Sequence, residues 1–174
     1  MEYLIRHGEL YRRRGQQASG EPLASIHSTL NGPRKEILVA GETQAYRTDV
    51  YRDARGAGGH RYELCAPTGR VMALGLPGYA PDDDPAAHGW PVNRMPRAEH
   101  LSLQLGAETY LLHQLDNGHY QLNSPDGRQA LTVAHRGLSG GWDLACSATF
   151  SPALLCAVLV FCLYLDRENE FLTV

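Results

Sequence analysis

Ser151-Pro152-Ala153-Leu154-Leu155-Cys156-Ala157-Val158-Leu159-Val160-Phe161-Cys162-Leu163-Tyr164-Leu165-Asp166 is the stretch whose reading decides the fold. Ala153 to Leu165 is continuously apolar once Cys and Tyr are counted, and no charge occurs from Leu144 to Leu165. Ser151 suits a helix N-cap, because its hydroxyl can take up a free backbone N–H, and Pro152 suits the first helical position. The pattern predicts a helix over about 152–166, roughly 22 Å long at about 1.5 Å per residue. A helix that is apolar on every side must be buried on every side. A bilayer could do that, since the uncharged run approaches the roughly 20 residues a span needs. A C-terminally membrane-anchored interaction protein is therefore one reading. However, Ser147, Thr149, Ser151 and Pro152 dilute the first half of the run. The inside of a β-barrel is the favoured alternative, and it needs more strands than the eight that a barrel fills with its own side chains.

The rest of the chain supplies those strands. Tyr3 to Tyr11, Leu23 to Thr29, Glu36 to Val39, Thr48 to Tyr51, Arg61 to Cys65 and Val71 to Leu76 read as strands in the first half. Leu101 to Leu105, Tyr110 to Leu115, Tyr120 to Asn123, Gln129 to His135 and Trp142 to Phe150 follow. Turn residues recur about every ten positions, the rhythm of an antiparallel barrel or sandwich. Tyr62 to Arg70 and Tyr120 to Arg128 share the pattern Y-x-L-x-small-P-x-G-R. Each copy reads as strand, Pro-Gly turn and return strand, which suggests two related halves. Residues 77–97 hold five of the ten prolines and the run Asp82-Asp83-Asp84, and read as a long surface loop between the halves. The expected fold is one mainly-β domain over 1–174: a closed antiparallel barrel of about twelve strands enclosing a C-terminal hydrophobic helix.

The strand-rich halves, Trp142-Asp143-Leu144 and the helix from Ser151 to Phe161 look like the tubby C-terminal-like superfamily. That superfamily includes the phospholipid scramblases and small bacterial members. The resemblance covers nearly the whole chain and implies a twelve-stranded barrel around a central helix. It leaves Phe171 to Val174 as a short last strand, and the proline-rich segment 77–97 departs from the pattern.

Composition restricts function more than it reveals it. The formal net charge is -3 and the pI is near 6.2, so a globally basic nucleic-acid binder is not expected. The four cysteines form no C-x-x-C pair, and two lie in the apolar helix. A reduced, cytoplasmic protein is the expectation, with no signal peptide seen in the charged start of the chain.

The enzyme-like motifs fail on spacing. Arg6-His7-Gly8 is similar to the R-H-G motif of histidine phosphatases, where His attacks phosphorus and Arg holds its oxygens. His135 would be the second histidine. That family needs a parallel α/β sheet with crossover helices, and no helix of ten residues is evident before Ala130. Gly137-Leu138-Ser139-Gly140-Gly141 fits G-x-S-x-G, but no histidine follows it, as the triad order requires. Asp82 to Asp84 lack the alternating spacing of a calcium loop, and the eight histidines show no zinc spacing. No cofactor or metal is expected. The remaining candidates are basic: Arg12, Arg13, Arg14, Arg34 and Lys35. Members of the eukaryotic tubby branch bind phosphoinositides, so the resemblance implies that these residues could meet an anionic phospholipid. The sequence is therefore read as a non-enzymatic binding module for an anionic lipid headgroup or a protein, with the membrane periphery as a further expected location and the phosphatase as the alternative.

Overall fold

A computed structural model describes residues 1–30, 32–52, 60–79 and 98–169. Among the described residues twelve strands precede one α-helix: β1(Glu2–Arg6), β2(Glu9–Arg14), β3(Gln17–Ser28), β4(Lys35–Val39), β5(Tyr46–Arg52), β6(His60–Cys65), β7(Val71–Tyr79), β8(Ala98–Leu105), β9(Glu108–Asp116), β10(His119–Asn123), β11(Gln129–His135), β12(Trp142–Cys146) and α1(Pro152–Asn169). Each strand pairs antiparallel with its sequence neighbours, and β1 pairs with β12 to close the barrel. Closure leaves the barrel wall itself without a free edge.

The barrel encloses the helix. Every residue from Leu155 to Cys162 is buried, which covers two full turns in all directions. Inward positions on the wall complete one core: Ile5, Leu10, Ile37, Tyr62, Leu64, Leu101, Leu112, Leu122, Val133 and Leu144 all belong to it. Size explains why twelve strands are needed. Strands about 4.8 Å apart and tilted by about 40° close to a diameter of roughly 24 Å. A helix with side chains takes about 10–12 Å of that, and the inward side chains fill the remainder. An eight-stranded wall would leave no such space.

α1 enters from one end of the barrel, called proximal here, where β12 ends. Leu154 N–H donates to the Ser151 side chain (3.2 Å), and Leu155 N–H donates to the Ser151 carbonyl (3.0 Å), so the predicted cap forms. The helix runs to Asn169, one turn beyond the expected Asp166. That last turn lies at the distal end, where polar groups tie it down. Asn169 accepts from Ala98 N–H (3.1 Å) and donates to the Ala98 carbonyl (3.3 Å). Tyr164 Oη donates to the Pro33 carbonyl (2.7 Å) and meets Thr48 Oγ1 (3.0 Å). The Tyr62 ring fills the corner between Phe161 and Tyr164, with centroids 5.8 and 5.3 Å away.

The duplicated hairpin occurs as β6–β7 and β10–β11, with matching turns. Ala66 N–H donates to Arg70 O and Ser124 N–H to Arg128 O, both at 2.8 Å. Gly69 and Gly127 take φ of +85° and +80°, the left-handed conformation that glycine accepts most easily. Both first tyrosines, Tyr62 and Tyr120, point into the core.

Several boundaries differ from expectation. The Tyr3–Tyr11 run is a hairpin and not one strand, because His7 (φ +53°) and Gly8 (φ +81°) turn the chain. Two positive φ values are what a type I′ hairpin turn requires. β2 and β3 continue into a hairpin through Arg14 and Gln17 that lacks any apolar alternation to announce it. β12 stops at Cys146, not Phe150, because the chain must turn into the lumen. Pro77 to Tyr79 extend β7, while 80–97 and the expected last strand Phe171 to Val174 lie outside the described residues.

Because Phe161 is fully buried, Phe161→Ala should cost about 3–5 kcal/mol from lost contacts and a cavity. A urea titration should show a lower midpoint with an unchanged slope. Burial pushes the Cys156 thiol up to about 12 and Cys162 well above its usual value. Raising a thiol pKa shrinks the thiolate fraction at any lower pH, and only the thiolate reacts. Aromatic-disulfide labelling at pH 8 should therefore modify the half-buried Cys65 first, and reach Cys156 and Cys162 only on unfolding.

Candidate functional site

With the lumen occupied by α1, candidate binding groups lie on the outer wall and at the two barrel ends. The five basic residues do not form one patch. Arg12, Arg13 and Arg14 lie at the proximal end of β2, whereas Arg34 and Lys35 lie at the distal start of β4. Arg14 pairs with Gln17 and Lys35 with Ser28, the two extremes of β3.

Local partners separate the five further. Arg34 Nε and Nη2 donate to one oxygen of Asp49 at 2.8 and 2.6 Å, and this carboxylate raises the guanidinium pKa. Lys35 Nζ donates to Ser28 Oγ (2.9 Å). Arg13 reaches Asp143 (3.2 Å) and lies 3.8 Å from Glu2. Arg12 and Arg14 are exposed, point to the same face of β2, and have no ion-pair partner among the described residues.

Arg13 belongs to an arrangement that the sequence reading missed. Between Leu10 and Arg12 the partner strand inserts Gly20 to Leu23, so the hairpin tip bends away from the β3–β4 pairing. Asp143 on the outer side of β12 lies between Arg13 and Arg136, the latter at 3.6 Å. Arg136 also donates to the Gln16 carbonyl at the hairpin tip (3.3 Å). Leu4 lies opposite Tyr11 and Asp143 at an outward position, yet is 2% exposed. The apolar run Tyr3-Leu4-Ile5 was the available signal, because a strand covered on one face alternates and one covered on both does not.

The phosphatase candidates are brought to one end but in the wrong architecture. Ile5 faces Trp142, and Trp142 faces His135, so Arg6, His7 and His135 sit at the distal rim of neighbouring strands. The sheet is antiparallel throughout, which removes the parallel α/β framework that reading required. His7 occupies a hairpin turn. His135 Nδ1 accepts from Gly137 N–H (3.2 Å), and its ring stands edge-on to Trp142 at 4.8 Å. Gly137 to Ser139 form a single 3-10 turn leading into β12, so G-x-S-x-G marks a connection and not a nucleophile elbow.

At the distal mouth, Gln114 Nε2 donates to Asp166 Oδ1 (2.8 Å), and Asn169 donates to Gln114 Oε1 (3.2 Å). Burial first, and then the neighbouring Asp166 carboxylate, push the Tyr120 phenol far above its usual value. These groups hold the end of α1 in place. Among the described residues no set of three or more His, Cys, Asp or Glu converges on a metal position, and no helix is long and apolar enough to cross a membrane. Comparison with family models, curated proteins and solved structures gives no match.

Removing the Asp143 carboxylate leaves two arginines facing each other and releases the hairpin tip. Asp143→Ala should destabilise the fold by about 1–2 kcal/mol, less than for a fully buried pair because each side chain is partly solvated. The check is urea unfolding, together with faster proteolysis at Arg14.

Proposed function

We propose that this chain is a non-enzymatic binding module that docks an anionic lipid headgroup through Arg12 and Arg14. One observation carries the reading: these two arginines project from the same exposed face of a hairpin, with no carboxylate partner among the described residues. A guanidinium offers forked donors that match phosphate oxygens, and hydrogen bonds between charged groups are the stronger kind. The helix-filled lumen supports a surface role, because the interior is given over to the protein's own core. Arg13 has a different part: it fixes the base of the hairpin against Asp143, while its neighbours face the ligand. Arg34 and Lys35 lie at the other end and stand outside this site. A barrel around its own helix is also the trait on which the tubby-like resemblance rests, and membership of that superfamily is part of the proposal.

A protein partner is the second reading. Leu111 and Leu76 are aligned across Ser102 on the outer wall of β7–β9, and Leu115 lies further along β9. Their exposures are 39%, 37% and 61%.

Co-sedimentation with vesicles tests the lipid reading. Binding should require phosphatidylserine or a phosphoinositide and should fall as salt rises. At about 1 kcal/mol per arginine near a charged surface, Arg12→Ala with Arg14→Ala should weaken binding roughly tenfold to thirtyfold. Arg34→Ala should leave binding unchanged. Equal binding by wild type and the double variant would overturn the site.

A further inference from the structure

We propose that His100 and His113 form a two-histidine site for a borderline divalent cation such as Zn²⁺, Ni²⁺ or Cu²⁺ on the outer wall of the barrel. The two residues face each other across β8 and β9. Their neighbours Leu101 and Leu112 also face each other and are fully buried. Alternation therefore places both histidines on the outer side. The register runs without a shift from Leu105↔Glu108, the pair that flanks the two-residue turn. Counting from that pair, His100 and His113 occupy a non-hydrogen-bonded position, where facing side chains come closest.

The rings already stand near the separation that one ion would impose. Their centroids are 5.9 Å apart with planes inclined at 45°. Two imidazoles on a tetrahedral ion, with metal–nitrogen distances of about 2.0–2.1 Å, have centroids roughly 5 Å apart. Side-chain rotation alone can close the difference.

That rotation starts from Gly78, over which the His100 ring now lies. It pairs with His100 from the other side, on β7. A Cβ at position 78 would lie 2.3 Å from His100 Nε2 and 2.4 Å from Cε1. The His100 ring therefore uses the volume of the missing side chain and can swing between β7 and His113.

His119 stands outside the pair, because across β9 and β10 it is Gln121 that faces His113, and His119 faces Asp116. Among the described residues no third His, Cys, Asp or Glu joins the pair. Two coordination positions are thus left for water or for a donor group brought by another molecule. Neutral imidazole nitrogen suits borderline cations and disfavours Mg²⁺ and Ca²⁺, which require oxygen.

The experiment is titration of the intact protein with Ni²⁺ at pH 7.5, followed by paramagnetic broadening of the imidazole C–H signals. His100 and His113 should broaden together and before the other histidines, and excess Mg²⁺ should not compete. In His113→Ala the His100 response should shift to at least about tenfold higher Ni²⁺, because chelation by a pair is lost. His100→Ala should do the same to His113. Matching thermal melts of wild type and both variants would show that the fold is intact. An unchanged His100 midpoint in His113→Ala, or broadening spread evenly over the histidines, would overturn the proposal.

Discussion

Everything in this structure depends on the burial of α1. An 18-residue helix with an apolar surface all round is stable only if every side of it is removed from water. One sheet could cover one face. A closed wall covers all of them, and the wall must be wide enough to admit a helix while leaving room for one layer of side chains. Twelve strands satisfy both conditions. The wall then alternates with little freedom: its buried inward residues are mostly Leu, Ile, Val, Ala and Tyr, and Thr48 is the one buried polar exception among the described residues, answered by Tyr164.

The two ends of the helix are finished differently. At the proximal end the Ser151 side chain caps the first turn. At the distal end side chains from the helix reach out to the wall: Tyr164 to Pro33, Asp166 to Gln114 and Asn169 to Ala98. Hydrophobic burial is non-directional and would tolerate sliding or rotation of the helix. Hydrogen bonds at fixed positions do not, so the polar ties set its depth and angle.

The helix, the turn rhythm and the repeated hairpin were all legible in the sequence, because each rests on local chemistry: a capped apolar run, Pro-Gly turns and inward alternation. The least legible part was the hairpin around Gly15. Its residues Arg12 to Ala18 carry no apolar alternation, and what holds them is the distant Arg13–Asp143–Arg136 contact. The basic candidates were legible as a composition but not as a place. Adjacent in the list of charges, Arg14 and Lys35 are separated by the whole of β3, and strand direction alone decides that. The R-H-G motif carries little information for the same reason. Three residues specify a turn as readily as a phosphate site, and His7 in a left-handed conformation belongs to the turn.

The order of elements along the chain has a further consequence. All twelve strands precede the helix that fills them. The wall residues Leu10, Ile37, Leu64, Leu112 and Leu131 thus emerge during synthesis before the surface they will cover exists. Closure by β1 and β12 joins positions about 140 residues apart, and such distant pairings form slowly. Any sheet formed before α1 would carry an uncovered apolar face and two open edges, the state in which β-rich chains associate with one another. The helix is thus both the core of the finished barrel and the step that ends its period of exposure.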